Sequence, residues 1–106
     1  MSYPLCKIEL YVPESHLAVV KTAMFEAGAG RVGHYDCCAW QTRGEGQFRP
    51  LDGSTPFLGI QDQIETVIEY KLELVCEEPC LNAVIAALKQ AHPYEEVAYT
   101  VIRTET

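Results

Sequence analysis

Lys7-Ile8-Glu9-Leu10 returns as Lys71-Leu72-Glu73-Leu74, an offset of 64 residues, and this repetition decides the fold. The same offset carries Leu17 to Leu81, Val20 to Val84, Ala23 to Ala87, Met24 to Leu88 and Ala27 to Ala91. The first set alternates polar and apolar, the period of a half-buried strand, and the second recurs at helical spacing. A strand and a helix that repeat with one shared offset mark an internal duplication.

Each copy reads strand, helix, strand. In the first, Cys6, Ile8, Leu10 and Val12 alternate with Lys7, Glu9 and Tyr11. Pro13 and Glu14 open a helix, because proline suits a first turn and a carboxylate suits the positive end of the dipole. Gly28 and Gly30 end it, and Tyr35 to Thr42 is the expected next strand. In the second copy, Ile64, Thr66, Ile68, Tyr70, Leu72, Leu74 and Cys76 alternate with a row containing Glu65, Glu69, Lys71, Glu73 and Glu77, read as a solvated face. Pro79 starts a helix with Leu81, Val84, Ile85 and Leu88 on one stripe, Pro93 stops it, and Glu95 to Arg103 is the expected last strand. Right-handed crossovers then put both helices on one face of a four-stranded antiparallel sheet. The expected class is α+β, a ferredoxin-like split βαβ fold occupying 1–106 as a single domain. Its expected core is Leu10, Leu17, Val20, Met24, Leu72, Leu74, Leu81, Val84 and Leu88. The other sheet face, with Tyr11, Val67 and Val75 among charges, predicts cover by another subunit.

Composition narrows the functional classes. The 106 residues are 48% apolar and 22% charged, which suits one globular domain and excludes extended disorder. The net charge of −7 argues against nucleic acid, whose phosphates need a basic face, and against anionic membranes. No run approaches the roughly 20 apolar residues that span a bilayer, and Met1-Ser2-Tyr3-Pro4 lacks the features of a signal peptide. The expected location is cytoplasmic, with the five cysteines reduced.

Between the second and third strands, about 43–63, lies a segment rich in glycine and proline that reads as a long loop or ribbon. It is longer than the topology requires, and length beyond need points to use. Arg43 and Arg49 are donors suited to phosphate or carboxylate, Gly44 and Gly46 allow close backbone approach, and Phe48 lies between them and Arg49. These five are the candidate ligand-binding residues, on a loop expected to add little stability. The alternative is a β-ribbon that turns at its glycines and packs Phe48 and Phe57 on the body.

Three stretches carry a resemblance: Gly33-His34-Tyr35-Asp36 with Cys38, Trp40 and Thr42; Gly44-Glu45-Gly46-Gln47-Phe48-Arg49-Pro50 with Gly53-Ser54 and Pro56-Phe57-Leu58-Gly59; and His92-Pro93-Tyr94-Glu95-Glu96-Val97-Ala98-Tyr99. With Val12-Pro13-Glu14 they resemble the PII/CutA-like domain inserted in Nif-three-like (NGG-one interacting factor) proteins. The resemblance implies a ferredoxin-like fold and, from the PII and CutA proteins, a homo-oligomer: a trimer first, a dimer second. In PII proteins the corresponding loop responds to nucleotides and reaches into partners. Full-length Nif-three-like proteins carry a dinuclear metal site in flanking domains. With three histidines in 106 residues, the expectation is that those domains are absent here and that hydrolase activity is not carried over.

The remaining chemistry is sparse. No Ser-His-Asp arrangement, P-loop or HExxH is present. Cys37 and Cys38, read as strand neighbours, point to opposite faces, and Cys76 and Cys80 form a single C-x3-C pair. The cysteines read as small buried hydrophobes, against a thiol metal site or a nucleophile. His34 and His92 read as turn residues, with Tyr94 packing the second junction. The sharper alternative gives a divalent metal such as zinc or copper His34, His92, Glu95 and Glu96 as ligands, although strand alternation lets one glutamate at most join His92. The expectation is therefore a non-enzymatic, cofactor-free PII/CutA-like regulatory or binding module that senses a small anion or docks a protein partner. The alternatives are a CutA-like metal-binding protein and an accessory module for separate Nif-three-like metal-dependent hydrolase subunits.

Overall fold

The computed structural model describes residues 3–105. The elements are β1 (Leu5–Pro13), α1 (Leu17–Glu26), β2 (Trp40–Phe48), β3 (Glu65–Glu77), α2 (Leu81–Ala91) and β4 (Tyr99–Arg103). The four strands form one antiparallel sheet in the order β2-β3-β1-β4. A 3-10 turn, Glu14–His16 or Glu78–Cys80, precedes each helix, so Pro13 and Pro79 set the entry and the α-helices begin at Leu17 and Leu81.

The duplication is written into the register. Glu9 lies directly opposite Glu73, its own repeat equivalent, so the approximate two-fold axis passes between them. Like charges facing each other across a ladder repel. Lys7 answers them with its Nζ 2.8 Å from Glu73 and 3.4 Å from Glu9, and Lys71, its equivalent, lies 3.8 Å from Glu9. The Lys7 bond holds the Glu73 carboxyl below its ordinary value, and the Glu73 bond raises Lys7.

On the other face, Cys6, Ile8, Leu10 and Val12 of β1 and Leu72, Leu74 and Cys76 of β3 form one core with Val20 and Met24 of α1 and Val84 and Leu88 of α2. Both helices therefore share that face. Each such apolar side chain contributes about 1.5–3 kcal/mol on burial. Leu17 and Leu81, expected in the core, are only partly buried at its margin. Cys6 and Cys76 face each other inside it, and burial pushes the Cys76 thiol up to about 11, far from a reactive thiolate.

Three boundaries differ from the sequence reading. The second strand does not run Tyr35 to Thr42. Gly30, Gly33 and Cys37 all have positive φ (84°, 58° and 54°), and Val32 and Tyr35 exchange two 3.0 Å backbone bonds around Gly33-His34. This is a series of turns, so Cys37 and Cys38 are not strand neighbours. At its other end β2 continues through Gly44 and Gly46. Its pairing with β3 reaches Phe48 opposite Glu65, beyond Pro13 opposite Glu69, where β1 stops. The result is a two-stranded ribbon on a molecule 50 Å long and 25 Å wide. Arg43 to Phe48 are thus sheet residues, and the expectation of a dispensable loop cannot extend to them. Finally, β4 begins at Tyr99 rather than Glu95: its ladder with β1 ends at Leu10 opposite Tyr99, and the Glu95 side chain accepts the Thr55 amide of the connection instead.

Candidate functional site

The ribbon, the connection 49–64 and the turn 92–98 border a half-open cavity of about 520 Å³ on the sheet face away from the helices. Tyr11, Gly46 and Glu69, from three adjacent strands, line it from the sheet. Phe48, Pro50 and Phe57 line it from the ribbon and connection, and Tyr94 and Ala98 from the turn. The Tyr94 ring stands 6.2 Å from Phe48 and 6.3 Å from Phe57, and Phe57 meets His16 edge-on at 5.4 Å. Arg49, Glu95 and Glu96 add charge to the lining.

Histidine and tyrosine hold this end of the sheet together. His92 Nε2 lies 2.7 Å from the Tyr11 carbonyl, and the Tyr94 amide lies 3.1 Å from His92 Nδ1. A carbonyl can only accept and an amide N–H can only donate, so Nε2 carries the proton and Nδ1 is the acceptor. Both ring nitrogens of the neutral imidazole are used. Burial lowers the His92 pKa and so favours the neutral form, while the bond to Tyr11 acts in the opposite direction. The Tyr94 hydroxyl donates to Glu69 Oε2 at 2.9 Å, and burial followed by that bond raises its pKa.

Gly46 is a consequence of the same contact. A Cβ there would stand 2.6 Å from Glu69 Cδ, inside the carboxylate that Tyr94 holds in place. The glycine of this G-x-G pair therefore makes room for a side chain across the ladder. Further along, Glu95 Oε1 accepts the Thr55 amide at 2.9 Å, fastening the connection to the turn.

The structure divides the candidate residues. Gly46, Phe48 and Arg49 line the cavity, whereas Arg43 and Gly44 do not. Arg43 pairs with Tyr70, on the helix-side face of the ribbon, and alternation sends its side chain away from Phe48. Of the four candidate metal ligands, Glu95 and Glu96 line the cavity together, since 92–98 is a turn and strand alternation does not separate them. His92 is spent on backbone bonds. His34 lies in the turns ahead of β2, outside the cavity lining. Among the described residues no group of three or more His, Cys, Asp or Glu side chains is placed to hold a metal. Sequence reasoning missed Tyr11 and Glu69, the latter hidden in a regular acidic row. The signal for the others was the pair of motifs containing Pro56-Phe57 and Pro93-Tyr94, which meet in this cavity.

No family model matches the chain. It is 44% identical over 102 residues to the GTP cyclohydrolase 1 type 2 homolog of Bacillus subtilis, an alignment covering 96% of this chain and 27% of that protein. The crystal structure of a Bacillus cereus protein related to NIF3 superposes on all of the chain with a TM-score of 0.84 at 34% identity, using 27% of that protein. This chain is related to the Nif-three-like proteins. It spans about a quarter of the length of the curated relatives it matches. CutA from Xylella fastidiosa superposes with a TM-score of 0.70 over 97% of this chain and 86% of its own, at 18% identity, which shows a shared fold. The Nif-three-like resemblance and the ferredoxin-like architecture are thus both established.

Proposed function

We propose that this chain is a non-catalytic binding module of the CutA/PII-like kind, and that its ligand site is the cavity between ribbon and turn. The supporting observation is the convergence of three aromatic rings, Phe48, Phe57 and Tyr94, from separate segments around about 520 Å³, a volume suited to a small molecule. A general base would need a free lone pair and a pKa near neutrality. The acceptor nitrogen of His92 is occupied and Tyr94 is raised, so these residues build the site without offering chemistry. The anion version of this reading has less support, because Arg43 points away and Arg49 is opposed by Glu69, Glu95 and Glu96.

The test is a nuclear magnetic resonance titration with 2-phenylethanol, a neutral aromatic probe. Shifts confined to Tyr11, Gly46, Phe48, Phe57 and Tyr94, with a rise in melting temperature by mass action, are expected. Shifts scattered over the surface, or none, would overturn the reading.

The other elements of the proposal are structural. Trp40 is 68% exposed and Ile102 42% on the face away from the helices, which supports burial in a homo-oligomer, a trimer before a dimer. Light scattering returning a stable mass of 11.9 kDa would refute it. The five cysteines are free, which suits the reducing cytoplasm. The quarter-length match to longer relatives favours a second reading, in which the module serves Nif-three-like hydrolase subunits. Co-purification with such a subunit tests that.

A further inference from the structure

We infer that the occupant of the cavity is a small organic ammonium ion, an amine whose apolar body sits among the rings and whose positive head meets the acidic lining. This deepens the reading above and rests on it. Three observations converge. The lining places three carboxylates, Glu69, Glu95 and Glu96, against a single guanidinium, Arg49. Phe48, Phe57 and Tyr94 line the same cavity as those glutamates, and the negative face of an aromatic ring attracts a cation. Glu69 accepts the Tyr94 hydroxyl, so its carboxylate is held at the sheet wall of the cavity, where it can receive a charged head. A neutral ligand would use the rings but gain nothing from the excess of carboxylates over the one guanidinium, and an anion would be repelled by it. The net charge of −7 adds a long-range attraction in the same direction.

The experiment compares probes of one size by isothermal titration: 2-phenylethylammonium, neutral 2-phenylethanol and anionic phenylacetate. The ammonium should bind at least about five-fold more tightly than the alcohol, with phenylacetate weakest, and its advantage should shrink as salt rises. The double change Glu95→Gln, Glu96→Gln keeps an acceptor for the Thr55 amide and should erase most of the preference, read as the ratio of ammonium to alcohol affinity in the same variant. Equal affinity of ammonium and alcohol would overturn this inference and leave the aromatic cavity standing. Tighter binding of phenylacetate would overturn it in favour of Arg49. Binding of none of the three would remove both this inference and the proposed site. Tighter binding of Nα-acetyl-lysine amide than of the free amine would overturn the assignment to a small molecule and transfer it to a protein side chain.

Discussion

The two halves of the duplication place equivalent carbonyls at the same point and satisfy them differently. In the second half, the Val75 carbonyl accepts the backbone N–H of Gly30 at 2.7 Å, from the turns that follow α1. In the first half the equivalent carbonyl belongs to Tyr11, and it accepts the imidazole N–H of His92, from the turn that follows α2. Each post-helix segment thus closes onto the strand of the other repeat. Where a backbone amide closes it, the chain needs Gly30 at φ +84° and leaves no room for a Cβ, which would stand 2.8 Å from the Phe25 ring. Where a side chain closes it, the same turn carries Tyr94, whose hydroxyl reaches Glu69. The duplication builds a common core, and the departure from it at one turn builds the cavity.

The largest effects should fall on what the halves share. Leu10 and Leu74 are equivalent and buried, so Leu10→Ala and Leu74→Ala should each cost about 2–5 kcal/mol in urea unfolding. A loss confined to one of them would show that the halves are packed unequally. Next comes the point where they differ. His92→Ala leaves the Tyr11 carbonyl and the Tyr94 amide without their partner and should cost about 1–3 kcal/mol.

The same residue carries a pH signature. Its pKa in the folded chain lies below the ordinary 6.5, so between the two values the unfolded chain binds more protons. Its contribution is complete above pH 6.5 and is lost as the pH falls through the folded value. Urea midpoints measured from pH 8 to pH 5 should fall more steeply for the natural chain than for His92→Gln. Parallel curves would mean that the imidazole titrates freely.

Smaller changes sharpen the account of the cavity wall. Tyr94→Phe removes one hydrogen bond to Glu69 and should cost about 1 kcal/mol. Gly46→Ala displaces the same carboxylate and should cost a similar amount. Because both act on Glu69, the double change should cost less than the sum, and strict additivity would show that the two contacts are independent. The smallest effect is expected from Arg43→Ala, on the far side of the ribbon, which should leave 2-phenylethanol affinity unchanged. A several-fold loss would bring Arg43 back into the site.

How much of this was legible follows from the range of each signal. Val20, Met24, Val84 and Leu88 announced themselves through spacing, because helical periodicity is a local property of the chain. The start of β2 did not, because positive φ at Cys37 is unusual for a residue with a side chain and breaks a stretch whose composition reads as strand. Glu69 could not be told from Glu65 or Glu73 in its row; Tyr94, 25 residues away, singles it out.

Taken alone, the amino-acid order determined the duplication, the split βαβ topology, the helix-facing side of β1 and β3, and the kinship carried by three motifs. Each of these depends on neighbours within a few residues or on one repeated offset. Tertiary structure decided the extent of the β2–β3 ribbon, the pairing of Glu95 with Thr55 across 40 residues, and the choice of Phe48 over Arg43 as a wall of the cavity. These depend on strand register, and a shift of one residue exchanges the two faces of a strand. Register is set by the whole sheet closing on its core, so the site became visible only when the chain was folded.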